Sequence, residues 1–266
     1  MKLTGIVHCH STYSYDGKMT LKELRELCIQ KGVEFVCMTE HTDEMDAQEA
    51  KNFVEECEAL SDEQFRFIPG FEVPYHSAHI LMVGMRSFHD IYAPDIETLR
   101  KWSIEASFVV LAHPVRNKFT VDDGLLGEID ALEVWNQQYE GKQVPRIRSL
   151  RLLRSLREKK KNLVATGGVD FHRIEHFGAP LLTLDADSLD ETVIIEKLKT
   201  GAFTVSSAHA EFYGTLPDIP EKISAYRVRS FFNVFVITFG KKVNALLASL
   251  GLSLPKSLKE KIRKTI

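Results

Sequence analysis

Lys2-Leu-Thr-Gly-Ile-Val-His8-Cys-His10 is an apolar run that ends in two histidines one residue apart. Its length and composition are those of a buried strand. On a strand, residues two apart project from one face, so both imidazoles point to the same place at its C-terminal end and can share an ion. Thr20-Leu-Lys-Glu23 then has the form of a capping box, opening a helix that Gly32 can close. Residues 33–39 form a second buried-strand run, and a helix follows over 46–60. The alternation continues, with extended segments at 65–68, 79–85, 108–112, 129–134, 163–169, 181–184 and 202–205. Helices are expected at 97–106 and 144–160, and a third opens at Ser188-Leu-Asp-Glu191, a second capping-box pattern, and ends at Gly201. Strands alternating with helices predict an α/β fold, either a parallel sheet or a closed barrel.

Composition agrees with a globular chain. Of 266 residues, 44% are hydrophobic and 27% charged, which excludes disordered and fibrous classes. The net charge of -3 excludes a nucleic-acid binder that uses its whole surface, yet it hides an asymmetry. Residues 221–266 carry 10 Lys/Arg against 2 Asp/Glu, which leaves residues 1–220 strongly acidic. Cys9, Cys28, Cys37 and Cys57 show no CxxC spacing and read as reduced side chains within a core. The N-terminus lacks the form of a signal peptide, and the longest apolar run, 231–239, is too short to span a bilayer, so a cytoplasmic protein without a transmembrane segment is expected.

The chemistry gathers at strand ends. Asp170-Phe-His172 closes the 163–169 strand, His41 lies in Thr39-Glu40-His41-Thr42-Asp43, and His113 lies in Ala112-His113-Pro114. Glu72 follows an apolar stretch, Asp16 follows the first strand by a short loop, and His79 opens His79-Ile-Leu-Met-Val-Gly84. Each motif alone is weak, but in an α/β barrel the strand C-termini share one rim. His8, His10, Asp16, His41, Glu72, His79, His113, Asp170 and His172 are therefore candidate metal ligands, too many for one four-coordinate ion and suited to Zn, Mn or Fe.

Taken in order, His8-Cys-His10 with Ser11-Thr-Tyr-Ser-Tyr-Asp16-Gly17, Thr39-Glu40-His41-Thr42-Asp43, Pro69-Gly70-Phe71-Glu72-Val73, His79-Ile-Leu, Ala112-His113-Pro114 and Val169-Asp170-Phe-His172 resemble the PHP (polymerase and histidinol phosphatase) family of metal-dependent phosphoesterases. The resemblance covers about residues 1–210. It implies a distorted (β/α)7 TIM-like barrel with two to three divalent ions. It also implies His8, His10, Glu72 and Asp170 on one ion, Glu72 bridging to a second held by His79 and His113, and Asp16, His41 and His172 on a third. Glu40 stands where the pattern more often has Asp, which leaves the adjacent His41 in place. Asp16 matches the nucleotide and oligonucleotide branch rather than many histidinol phosphatases. The short spacings from His79 to His113 and on to Asp170 leave little room for an inserted lid, so an open site is expected.

The implied reaction is hydrolysis of a phosphate ester, of a nucleotide, oligonucleotide or small phosphomonoester, by a metal-activated hydroxide. Glu72 and Asp170 are its catalytic centre, and His209 is a candidate proton donor. Arg116 and Asn136 are candidate substrate contacts, Asn136 with helix capping as its alternative, and His176 is a candidate rim residue; His76 and His89 read as structural. One rival is an amidohydrolase-type barrel acting on C-N bonds, although such sites commonly bridge their metals with a modified lysine. Another is a nucleic-acid-associated binding protein that kept the barrel.

Gly214-Thr-Leu-Pro217-Asp-Ile-Pro220 breaks the alternation and marks a boundary between a barrel at 1–214 and a basic helical extension at 215–266. Within the extension, Ala225, Val228, Phe232, Phe235 and Phe239 form an apolar stripe expected to face the barrel. A second short helix is expected around Leu246, Leu247 and Leu250, ending near Gly251, and a third, basic one over 256–264. Lys259, Lys261, Arg263 and Lys264 could contact RNA, with a solvated appendage as the alternative. Placing the basic and aromatic segments on separate helices argues against a membrane-surface helix.

Overall fold

A computed structural model of the chain describes residues 1–91, 94–215, 224–250 and 253. The order begins β1 (Lys2–Cys9), α1 (Leu21–Gln30), β2 (Phe35–Met38), β3 (Glu40–His41), α2 (Ala47–Ala59), β4 (Arg66–Ile68), β5 (Gly70–Tyr75) and β6 (Ala78–Val83). It continues with α3 (Ile96–Glu105), β7 (Phe108–Ala112), α4 (Asp123–Glu128), β8 (Ala131–Asn136), α5 (Gln137–Glu140), α6 (Ile147–Arg157) and β9 (Val164–Gly168). The remainder is β10 (Leu181–Asp185), α7 (Glu191–Thr200), β11 (Phe203–Ser206), β12 (Glu211–Tyr213) and α8 (Ser224–Ser249).

The helix boundaries follow from side chains that satisfy the free N–H groups of the first turn. Thr20 and Glu23 form the expected reciprocal box on α1, and Asp46 with Glu49 forms another on α2. The Ser188 pattern resolves differently: Asp190 caps α7 by accepting from the Thr192 N–H, while Gly201 ends that helix in a left-handed conformation.

The strands join in two six-stranded sheets, ordered β12-β11-β10-β1-β2-β4 and β3-β5-β6-β7-β8-β9. The pairings are mixed rather than parallel throughout, and the ladders among the described residues form two separate sheets. β5, β6 and β7 pair antiparallel, as do β1, β10, β11 and β12. Antiparallel neighbours need no crossover helix, and β5 and β6 are joined by a turn at 76–77 where a barrel would place a helix. The sheets meet where β1 runs beside the end of β9: Val169 N–H donates to the Val7 carbonyl at 3.1 Å, and His10 N–H to the Phe171 carbonyl at 2.8 Å. That seam carries His8, His10 and Asp170.

A continuous apolar core fills the body, built from β-branched and aromatic residues of the strands and the inner faces of α1, α2, α3, α6 and α7. All four cysteines are buried thiols within it. The C-terminal expectation changes more. One unbroken 26-residue helix, α8, replaces the two helices expected over Ala225 to Leu250. Its buried side chains are polar: Asn233 is fully buried and Ser230 donates to the Pro145 carbonyl at 3.3 Å. The stripe expected to pack inward instead faces solvent at Val228, Phe232, Phe235 and Phe239. The basic segment 256–264 lies outside the described residues. Among the described residues, no helix is long and apolar enough to cross a membrane.

Candidate metal centre

The structure brings together all nine side chains expected as ligands, around one carboxylate. Glu72 Oε2 lies 3.3 Å from each of His8 Nε2, His10 Nε2 and His41 Nδ1. Its Oε1 lies 2.5 Å from His79 Nδ1 and 2.9 Å from His113 Nε2. Asp170 Oδ1 approaches His8 Nε2 and His172 Nδ1 at 3.5 Å and His10 Nε2 at 3.7 Å. Asp16 completes the row, with Oδ2 3.1 Å from His172 Nε2 and Oδ1 3.7 Å from His41 Nε2. His10 is stacked between His41 and His172, at centroid separations of 4.4 and 4.3 Å.

The backbone needed for this convergence is unusual. His8, His113 and Asp170 have φ of 68°, 21° and 53°, in the left-handed region that side chains rarely adopt. At His8 the β1–β2 register shifts, so the strand bulges there. The two histidines thus reach one site through a bulge rather than through plain strand alternation. A second shift lies between Glu133 and Trp135, and it lets Glu133 and Asn136, three apart, turn toward the same place.

Glu133 was not singled out from the sequence, yet it supports the cluster. It is fully buried, its Oε2 accepts from the His113 backbone N–H at 2.6 Å, and its Oε1 lies 3.0 Å from His8 Nδ1. A carboxylate within the apolar run Ala131–Asn136 was the available signal, because a buried charge requires partners. A Cβ on Gly168 would sit 1.8 Å from Glu133 Oε1, so only glycine admits this approach. Ser14 Oγ lies 3.2 Å from His10 Nδ1, 2.9 Å from the His41 backbone N–H that it accepts from, and 2.5 Å from Glu40. Glu40, pushed up to about 7 by burial, thereby ties the loop after β1 to the site.

Electrostatics divides the imidazoles. Burial pushes His10 down to about 3 and lowers His41, which keeps both rings neutral and able to donate a lone pair. Burial opposes charge on His8 too, but Asp170, Glu133 and Glu72 outweigh it and raise its pKa. Glu72 is held well below the usual carboxylate range: burial opposes this and is outweighed by His8 and by the adjacent imidazoles of His10, His113 and His79.

These residues fit divalent ions. One carboxylate against five imidazoles is more nitrogen than its lone pairs can satisfy as hydrogen bonds. Buried His10 Nε2, His113 Nδ1 and Asp16 Oδ1 have no hydrogen-bond partner. Four overlapping triplets, His8-His10-Glu72, His8-His113-Asp170, His41-Glu72-His79 and His10-His41-His172, each place three ligand atoms within 4.8 Å of one another. Imidazole with carboxylate is a donor set for Zn, Mn or Fe.

The cluster lies in a cavity of about 400 Å³ whose wall includes Tyr15, Lys18, Arg116, Tyr139, Arg173 and Lys241. Lys241 comes from α8, and its Nζ lies 4.2 Å from the centre of the Tyr139 ring, which in turn tilts against His113 at 5.2 Å. No local pattern in the sequence pairs a residue of α8 with a strand end 128 positions earlier.

The other expected residues fall in different places. Arg116 and His176 line the cavity. His176 Nδ1 accepts from the His172 backbone N–H at 3.2 Å, so that side chain positions a neighbour. Asn136 is fully buried and committed: its Oδ1 caps α5 through Gln138 N–H, while Nδ2 donates to Glu133 at 3.0 Å and Asp170 at 3.3 Å. Its amide is thus engaged within the fold, and the helix cap is the alternative that the contacts display. His209 is exposed on the turn between β11 and β12 and is not among the residues that line the cavity. Its expected part in proton transfer finds no geometric basis.

Three comparisons bear on this site. The DNA polymerase/3'-5' exonuclease PolX of Bacillus subtilis (strain 168) is 32% identical over 125 residues, 44% of this chain and 21% of that protein. A two-domain protein from Bacteroides vulgatus ATCC 8482, containing a predicted PHP-like metal-dependent phosphoesterase, superposes with a TM-score of 0.58 at 16% identity, covering 78% of this chain and 65% of that one. The lesion-specific endonuclease PfuEndoQ from Pyrococcus furiosus superposes at 0.50 with 16% identity, covering 80% and 58%. The chain thus spans about a fifth of its curated relative and less than two thirds of each solved structure, and at 16% identity the likeness is one of fold. The PHP domain family matches residues 7–200, a stretch that contains every member of the strand-end cluster, and the chain belongs to that family.

Proposed function

We propose that the chain is a metal-dependent phosphoric ester hydrolase whose nine clustered side chains hold two to three divalent ions. The observation that carries this reading is the convergence of five imidazoles on Glu72 beside Asp170 and Asp16. Ions bound there would supply Lewis-acid charge to phosphoryl oxygens and lower the pKa of water toward neutrality. The protein's part is placement. Glu133 and Asn136 fix His8, His113 and Asp170, and Ser14 fixes His10.

The wall of the cavity favours an anionic substrate. Lys18, Arg116, Arg173 and Lys241 line it in a chain whose first 220 residues are net acidic, a local reversal of sign that attracts phosphate. A neutral amide gains less from four cations than a phosphate ester does, so this wall supports the phosphoesterase reading over the amidohydrolase one. Arg116 can fork onto phosphoryl oxygens, and Lys241, seated over Tyr139, offers a point charge beside it.

The test is phosphate release from mononucleotides, short RNA and DNA, and small phosphomonoesters by stripped protein reconstituted with Mn or Zn. Metal-dependent turnover that Asp170→Ala abolishes is expected. Reconstituted protein that holds more than one ion per chain and cleaves none of these esters would reject the reading.

A further inference from the structure

Helix α8 is inside out. Its buried face presents Ser230 and Asn233 to the body, while Val228, Phe231, Phe232, Phe235, Phe239, Leu246 and Leu250 are all exposed, Phe231 to 74%. These residues recur at three and four, so they fall along one side of a helix about 39 Å long. Phe235 stacks between Phe231 and Phe239, at centroid separations of 6.4 and 5.9 Å, making a continuous aromatic ridge. A contiguous apolar stripe of this kind on an otherwise polar surface marks something that covers it.

Charge decides what covers it. From Ser224 to Ser249 the helix has Arg227, Arg229, Lys241 and Lys242 and no acidic residue. Lys242 is exposed and, by helical periodicity, lies within the span of the apolar stripe. In a two-fold pair of α8 helices, Lys242 would be covered by a partner that offers no carboxylate, a buried charge without compensation. On a bilayer the same lysine can extend its stem along the apolar groups and keep its ammonium at the lipid phosphates. We propose that the outer face of α8 is a docking surface for an anionic lipid bilayer, on which the helix lies in the interface plane with its Phe ridge at the acyl boundary. The basic segment 256–264, expected on a separate helix, lies outside the described residues, but α8 itself carries Lys242 on the same helix as the aromatic ridge. It uses residues beyond the 7–200 family match and does not depend on the proposed chemistry.

The experiment is co-sedimentation of the full chain with vesicles of phosphatidylcholine alone or mixed with phosphatidylglycerol, across a salt series. The variant joins Phe231→Ser, Phe235→Ser and Phe239→Ser, all at exposed positions, and a second variant is Lys242→Glu. The expected result is binding to the anionic vesicles that weakens with salt, falls at least about tenfold in the triple variant and falls in Lys242→Glu, with the circular dichroism spectra of the free proteins unchanged. Equal binding by the triple variant, or no binding of the parent chain at low salt, overturns the proposal. So does sedimentation equilibrium showing a dimer that the triple variant abolishes, which would give the ridge to a second copy of the chain.

Discussion

The strand-end cluster and helix α8 treat burial in opposite ways. At the cluster, eight of the nine ligand candidates lie on ordered strands or their ends with side chains turned inward, and polar groups occupy an apolar interior because they face one another. On α8, an aromatic ridge faces outward while the buried side chains, Ser230 and Asn233, are polar. The contrast teaches that hydropathy period identifies an element without fixing which side meets the body. Partners decide the side: the cation over Tyr139 and the Ser230 contact orient α8 as surely as Leu21, Leu24 and Cys28 orient α1.

The sharpest way to break the comparison is at its inward side. Glu72→Gln removes the charge on which five imidazoles converge, and metal-supported phosphate release should fall at least about a thousandfold while the circular dichroism spectrum is retained. Wild-type turnover in this variant would mean that convergence on Glu72 has no chemical use. Glu133→Gln tests the layer behind it. Because Glu133 meets both His8 and the His113 backbone, metal affinity measured by competition with a chelator should weaken by about 10–100-fold. An unchanged affinity would reduce Glu133 to a core residue.

Within α8 itself, Lys241→Met should raise KM for a small phosphomonoester about tenfold with little change in kcat, whereas Phe235→Ser should leave both constants unchanged. Equal effects of the two substitutions would erase the distinction between the inner and outer faces of the helix. The smallest effect concerns stability. Burial pushes Glu140 up to about 8 from an ordinary value of 4.5, so between those values the folded chain holds a proton that the unfolded chain has released. Stability therefore falls as pH rises through that window. Glu140→Gln should flatten the decline and leave the variant about 1–2 kcal/mol more stable than the parent above pH ~8, as read by denaturant titration at several pH values. A parallel decline in both proteins would assign it to other groups.

Much of the site was legible because its residues are chemically conspicuous and end predicted strands: His8 and His10, His41, His113, and Asp170 with His172. Glu133 was not, since it sits inside the apolar run of β8 and its partners come from strands remote in sequence. Lys241 was invisible for the same reason, as only the tertiary seat of α8 brings it to Tyr139. In the fold, β5 was missed because Pro69, Gly70 and Pro74 read as breakers; the strand tolerates Pro74 within its antiparallel pairing to β6. The regular alternation of strands and helices also favoured a parallel barrel, whereas β5 to β6 and β10 to β12 turn back on themselves. Ser188 lost its expected capping place to Asp190, whose carboxylate sits one residue before the helix and reaches the Thr192 N–H at 2.8 Å.

The left-handed backbone at His8, His113 and Asp170 has a consequence for selection. Each of these positions holds a side chain where glycine would sit with less strain, so each lowers the stability of the chain by about 1 kcal/mol or more for the sake of ligand placement. A library of variants screened only for folding or thermal resistance would therefore enrich glycine or asparagine at these three sites. The same library screened for metal retention would reject those substitutions, and positions where the two screens disagree would trace the outline of the site without any knowledge of its substrate.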